Sequence, residues 1–270
     1  MSPRLARVLV NGLLLGGALV ALFPLGWMLV VSLLPAGTAG AGASPWPPAP
    51  TLDNYRALFA RAGMGRYLAN SLGVSAAITL LSLGCNLAAG YAFARLDFPG
   101  RRVLFRGVLA ALAIPAQVTM LPLFLELKAL GWVNSYAGVV VPALASAFGI
   151  YLVRQFARAV PVELIEAARI DGAGEWRIFV AIVLPLLKPA MATLAVLTFL
   201  AAWNDFMWPL IVLTGQEHYT LPVGLASLAR EHAQDTELMM AGSAVTVLPA
   251  LALFMALQRH YLAGLLLGSR

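Results

Sequence analysis

Charge is scarce in this sequence. Eighteen Lys and Arg and twelve Asp and Glu are spread over 270 residues, of which 61% are hydrophobic. A soluble domain of that length needs a charged surface that this composition does not supply, so a soluble globular protein is excluded. Cysteine is represented only by Cys85, which excludes an internal disulfide. The three histidines, His218, His232 and His260, stand far apart, and no Cys/His spacing suits a metal ion. Lysine occurs only as Lys128 and Lys188, and no GxxxxGK[ST] loop is present. The run "GTAGAG" at Gly37 to Gly42 lacks both the lysine and a preceding strand, so it reads as a linker. No Ser-His-Asp order and no HExxH pattern offers hydrolytic chemistry, so the chain is not expected to be an enzyme. No soluble face gathers basic and aromatic residues, which argues against nucleic acid as a partner.

What the chain has instead is long apolar runs, and its mean hydropathy is +0.84. About 20 such residues cross a hydrocarbon core as a helix. Six spans are expected, at about 8–34, 68–94, 107–125, 136–153, 189–214 and 238–258, together forming one transmembrane domain over 1–270 in contact with membrane lipid. None has the short alternating pattern of an outer-membrane barrel. The first run follows Arg4 and Arg7 but exceeds the roughly 7–15 apolar residues of a secretion signal, so it is expected to be retained. With both termini on one side, that side holds thirteen of the eighteen Lys and Arg, and the positive-inside rule makes it cytoplasmic. Prolines fall within several runs (Pro24, Pro115, Pro122, Pro142, Pro209 and Pro249), and glycines such as Gly84 and Gly90 permit close helix packing. On the outer side, "TLDNYRALF" predicts a short amphipathic helix presenting Tyr55, Leu58 and Phe59.

One stretch breaks the apolar pattern. "EAARIDGAGEW", Glu166 to Trp176, carries Glu166, Arg169, Asp171 and Glu175, with Arg177 just beyond. It sits in the longest inner loop, 154–188. Pro161 suits a helix start, Glu163 suits the first turn and Gly172 suits the stop, which predicts a helix from Val162 to Asp171. Glu163, Glu166 and Ile170 fall on one side of it, and Val162, Ile165 and Ala168 on another. Ala167 and Ala168 are small enough to let another surface approach closely. Pro185 and Pro189 then turn the chain into the fifth span. An interfacial helix that merely anchors the loop would explain Trp176 and Arg177, but not two alanines and a glutamate where such a helix should be most apolar.

The spacing Glu166-Ala167-Ala168, three residues, Gly172, nine residues, Ile182, one residue, Leu184-Pro185 resembles the EAA-loop signature of ABC importer permeases. "LDNYRALF", "LANSLGVS", "GYAFARLDFPGRR", "FGIYLVRQFARAVP", "WNDFMWPLIVL" and "YTLPVGLASL" are similar to the carbohydrate-uptake subgroup, the smaller permease subunit of maltose-type importers. The resemblance implies an all-α integral membrane protein with the type I ABC importer permease fold, six transmembrane helices and cytoplasmic termini. It also implies a coupling helix, with Glu166, Ala167, Ala168, Asp171 and Gly172 as the element that docks on a cytoplasmic ATPase. Further partners follow from it: a second permease subunit, two copies of the ATPase and an extracytoplasmic solute-binding protein. No cofactor is expected on this chain itself, ATP and Mg belonging to the ATPase. The tail "HYLAGLLLGSR" departs from the subgroup, whose last span usually leads into a glycine-rich, Lys-terminated end.

Within the fifth run, Asn204 and Asp205 stand out as polar groups at membrane depth, candidates for the pathway, a gate or a brace between helices. Asn86 and Gln117 are weaker candidates for lining a cavity. A proton-coupled carrier would need only the buried acid and no docking helix; no inverted repeat supports it. The resemblance leaves the solute open within sugars and polyols, with glycerol phosphate as the nearest alternative.

Overall fold

A computed structural model describes residues 3–38, 49–60, 62–231 and 235–267. The described residues are helical, with no strand among them. They fall into two compact units, Met1–Leu68 with Leu221–Pro249, and Ala69–Thr220 with Ala250–Arg270.

The first unit is built on α1 (Pro3–Ser32) and α2 (Asp53–Ala60). Most of α1 is exposed on every side, as at Leu13 (77%) and Val20 (75%), which suits a helix surrounded by hydrocarbon rather than water. A helix leaves its last carbonyls without partners. Here α2 and the residues just before it supply them: Asn54 Nδ2 donates to the Ser32 and Leu34 carbonyls at 2.9 and 2.8 Å, and the Thr51 N–H donates to the Leu33 carbonyl at 2.8 Å. Ser32 and Tyr55 share a hydroxyl bond of 2.7 Å. Of the expected amphipathic face, Leu58 is buried, Tyr55 half-buried and Phe59 exposed, while Asn54 is buried for its polar contacts.

Helix α3 (Met64–Arg95) begins in the first unit and continues through the second. There it is followed by α4 (Arg101–Ala111), α5 (Ala116–Ala129), α6 (Tyr136–Val140), α7 (Ala147–Ala159), α8 (Val162–Ile170), α9 (Glu175–Ile178), α10 (Leu184–Leu186), α11 (Lys188–Trp203) and α12 (Met207–Val212). In the first unit, α13 (Leu221–Glu231) leads to α14 (Thr236–Leu267), which reaches Pro249 before the chain returns to the second.

Three expected spans differ from straight helices. The run at 136–153 is divided between α6 and α7 by a tight turn at Val141–Ala143 and extended backbone at Ser146. The run at 107–125 is divided between α4 and α5, whose axes differ by 107°. Pro115 lacks an N–H and disfavours helical backbone at Ile114, so the chain turns there instead of crossing directly. The run at 189–214 is divided too: α11 ends at Trp203 and α12 starts at Met207, with Asn204, Asp205 and Phe206 in the break. Ahead of it, the segment Glu175–Leu186 meets Lys188–Trp203 at 79°, the proline-marked turn into the fifth span. A π-helical stretch, Phe179–Val183, and Pro185 lie on one side of that turn and Pro189 on the other. Arg4–Ser32, Met64–Arg95 and Tyr136–Ala159 are each long and apolar enough to cross a membrane.

Close packing of α3 on α7 depends on missing side chains. A Cβ at Gly90 would lie 2.5 Å from Val153 Cγ1. One turn earlier Asn86, fully buried, donates to Ser82 Oγ at 2.7 Å and accepts from the Ser146 N–H at 3.1 Å, just before α7 starts. Asn86 is therefore a structural group inside the helix packing and does not line a cavity. Gln117 lies exposed in the first turn of α5. One apolar cluster joins Leu87 and Tyr91 of α3 to Val153 and Ala157 of α7, Ile165 and Ala168 of α8, and Ile178, Phe179 and Leu194 beyond. A second joins Val74 and Ile78 of α3 to Leu127, Val139, Trp208 and Val212.

Candidate functional site

The polar island folds as the spacing requires. Pro161 takes extended backbone (ψ 129°) at the N-cap, α8 runs nine residues, and Asp171 is the C-cap. Gly172 adopts φ 80°, the left-handed conformation that glycine enters without steric cost. The Gly172 N–H donates to Arg169 at 3.0 Å and the Ala173 N–H to Ala168 at 2.9 Å, the paired bonds of a Schellman stop.

The two sides of α8 differ sharply. Ile165 and Ala168 are buried in the apolar cluster beneath, at 1% and 9% exposure. Glu163, Glu166, Ala167, Ile170 and Asp171 face outward, and Ile170 reaches 86% exposure. Two expectations change. Val162 is exposed at 43% and does not share the buried side of Ile165. Of the two alanines, Ala167 alone lies on the open surface, whereas Ala168 is small because α8 must sit close on the chain's own core. Neither Glu166 nor Asp171 forms an ion pair or side-chain hydrogen bond among the described residues, so both carboxylates are free for an external partner.

Arg169 and Glu175 are not free. Arg169 Nε donates to Glu175 Oε1 at 2.7 Å, closing the turn between α8 and α9. That hydrogen bond holds the Glu175 carboxyl below its ordinary value and raises the Arg169 guanidinium above its own, against the desolvation of both. The second oxygen, Glu175 Oε2, accepts from the Tyr91 hydroxyl at 3.0 Å. Tyr91, 3% exposed, lies in the last two turns of α3 and packs on Phe179 with ring centroids 5.0 Å apart. Four residues on, Arg95 donates to the carbonyls of Ala157 (3.0 Å), Arg158 (2.9 Å) and Val160. These are orphan carbonyls at the end of α7, immediately before Pro161. The sequence marked Arg169 and Glu175 as members of the island but gave no sign that they pair with each other. Tyr91 was missed altogether: nothing about a tyrosine at the end of an apolar run announces a partner 84 positions away.

Asn204 and Asp205 lie at the far end of α11 and are not brought near α8. Asn204 Nδ2 donates back to the Leu200 carbonyl at 2.8 Å, and Asp205 Oδ1 accepts from the Trp208 N–H at 3.4 Å. The two polar side chains do not bond each other. Both contacts are local, and among the described residues neither side chain bonds a more distant helix; Asp205 serves the first turn of α12. No group of His, Cys, Asp and Glu able to hold a metal occurs among the described residues.

Comparison with known proteins gives a consistent result. A family model for binding-protein-dependent transport system inner membrane components matches residues 86–265. The chain is 40% identical over 255 residues to the arabinooligosaccharides transport system permease protein AraQ of Halalkalibacterium halodurans, covering 93% of this chain and 91% of that one. It is 33% identical over 265 residues to the diacetylchitobiose uptake system permease protein NgcG of Streptomyces coelicolor, covering 96% and 87%. In fold it is similar to a chain of a bacterial ABC transporter involved in the import of the acidic polysaccharide alginate. That likeness has a TM-score of 0.85, at 24% identity, and covers 97% of this chain and 99% of that one.

Proposed function

The chain belongs to the family of binding-protein-dependent transport system inner membrane components, and we propose that it is the permease subunit of an importer for a sugar or oligosaccharide. The observation that carries the coupling role is the outward side of α8. Glu166 and Asp171 are unpaired there, Ala167 permits close approach and Ile170 supplies an apolar contact. Glu166 accepts charge-assisted hydrogen bonds from a basic group on a cytoplasmic ATPase. Ala168 and Gly172 shape the element from within, by close packing and by ending the helix. The oligosaccharide names of the two relatives support the substrate class.

In this reading the working assembly holds this chain, a second permease subunit, two ATPase copies that bind ATP and Mg, and an extracytoplasmic binding protein. The two compact units belong to one permease domain, since the matched family region runs through both. The helices Arg4–Ser32 and Met64–Arg95, the interrupted run Tyr136–Ala159, the bent pair Arg101–Ala111 with Ala116–Ala129, the run from Lys188 through Val212, and the apolar part of α14, Thr236–Ala252, make six spans. An even count places both termini on one side, and the excess of Lys and Arg makes that side the cytoplasm. ATPase closure pushes α8, and the helices rock between inward-facing and outward-facing states as rigid bodies.

The test is reconstitution of the four components in liposomes, with uptake of labelled arabinooligosaccharides measured against glycerol phosphate. Oligosaccharide uptake that requires ATP and the binding protein is expected. Uptake of glycerol phosphate alone would overturn the substrate class, and ATP-independent uptake would overturn the importer.

A further inference from the structure

The coupling helix is tied at both ends to one turn of one membrane helix. At its start, Arg95 holds the carbonyls of Ala157, Arg158 and Val160, at the end of α7 and just before Pro161. At its finish, Arg169 of α8 grips one oxygen of Glu175 at 2.7 Å while Tyr91 grips the other at 3.0 Å. Tyr91 and Arg95 are four residues apart and so lie on the same side of α3. Between the two ties, Ile165 and Ala168 rest in the cluster that contains Leu87 and Tyr91. Apolar packing alone resists separation of two elements but allows sliding. Hydrogen bonds of fixed geometry at both ends stop the sliding.

We infer that Tyr91, Glu175 and Arg169 form a latch by which displacement of α8 is delivered to α3, with Tyr91 and Glu175 as positioning residues for transport. The inference rests on the reading of α8 as the ATPase-docking helix. Without the latch, α8 follows the ATPase while α3 lags behind it, so nucleotide is hydrolysed with less solute moved. Tyr91→Phe removes only the hydroxyl from a well-packed ring, and Glu175→Gln keeps the shape of a partly exposed side chain while weakening both bonds.

The experiment uses the full reconstituted complex and compares wild type, Tyr91→Phe, Glu175→Gln, the double variant and Glu166→Lys. Three quantities are read: ATPase co-purified with the permease, binding-protein-stimulated hydrolysis, and solute moved per ATP. Both latch variants are expected to retain the ATPase and to lower solute per ATP about five-fold or more. The double variant is expected to be no worse than either single one, because the residues act as one unit. A merely structural role would lower assembly and leave solute per ATP unchanged. An unchanged ratio in Glu175→Gln overturns the latch even if Tyr91→Phe assembles poorly. If Glu166→Lys uncouples while both latch variants stay at the wild-type ratio, the latch alone fails. If Glu166→Lys leaves docking and uptake normal, the docking role of α8 fails with it.

Discussion

Arg169 and Glu175 neutralise each other across the Gly172–Gly174 turn, with 2.7 Å between Nε and Oε1. Their side chains remain 41% and 44% exposed, so the pair contributes little to global stability, about 1 kcal/mol or less. Its consequence is for the surface beside it. With Arg169 engaged, Glu163, Glu166 and Asp171 are left as an acidic face around the apolar Ile170. That surface fits a basic-rimmed cleft with an apolar floor.

Replacing Glu166 by Lys inverts the centre of that face without touching the fold, since the side chain is exposed and makes no internal bond. Expression and thermal unfolding of Glu166→Lys are expected to match wild type. Stimulated ATP hydrolysis should fall or cease to follow solute, measured on the reconstituted complex. Normal stimulation together with normal uptake would remove Glu166 from the coupling element.

Gly172 has φ 80°, and a non-glycine residue there costs about 1–2 kcal/mol of local strain. Gly172→Ala is therefore expected to loosen the Schellman stop and lower the unfolding temperature of the detergent-solubilised subunit. Gly172→Asn, which tolerates the left-handed region better, should recover part of the loss. Equal stability of all three proteins would contradict the assigned backbone geometry.

Much of this loop was legible because its signals are local. Pro161, Glu163 and Gly172 act within one turn of where they stand, so the helix was expected at Val162–Asp171 and runs over Val162–Ile170. The breaks were harder to see. Pro115 and Pro209 were visible as prolines, but whether a proline kinks a helix or ends it depends on which neighbours satisfy the freed carbonyls. At Pro115 the outcome is a 107° turn. The break at Asn204–Phe206 carries no helix-stop signal of its own, and the polarity of Asn204 and Asp205 suits the pathway, a gate or a brace alike. Tyr91 and Arg95 were illegible for another reason: their partners are brought to them by tertiary packing.

Gly90 and Val153 provide a direct check on that packing. Adding a methyl at Gly90 places it 2.5 Å from Val153 Cγ1, with the Arg154 backbone N 3.0 Å away. Gly90→Ala is expected to destabilise the α3–α7 contact by about 1–3 kcal/mol. Val153 Cβ would also lie 2.6 Å from the added methyl, so Val153→Ala is not expected to relieve the clash. Gly90→Ala combined with Val153→Gly should recover part of the loss, giving a favourable coupling in a double-mutant cycle read by thermal unfolding. Simple additivity would mean that α3 and α7 do not meet at this point.

Asp205 separates a cap from a charge. Its carboxylate accepts from the Trp208 N–H, a role that an amide oxygen also fills. Asp205→Asn is expected to keep most of the transport, whereas Asp205→Ala should lose about 1 kcal/mol of stability with the first turn of α12 frayed. Complete loss of uptake in an assembled Asp205→Asn complex would instead assign the acid a charge-dependent task on the pathway.

Ile170 is the decisive residue for the docking surface proposed for α8, because its exposure is costly on a face left open to water. A large aliphatic side chain at 86% exposure, flanked by carboxylates and outside the apolar spans, gains nothing from water, and the docking proposal supplies the partner that would bury it. Ile170→Ser should leave the subunit's own stability unchanged, since the side chain touches little of its own chain. Affinity for the ATPase should fall about ten-fold, equivalent to roughly 1.4 kcal/mol, when the two are titrated in nanodiscs. Ile165→Ser should do the opposite, destabilising the permease itself, because that side chain is already 1% exposed within the core. Equal effects of the two substitutions on ATPase affinity, with no difference in subunit stability, would mean that the two sides of α8 have been assigned the wrong way round.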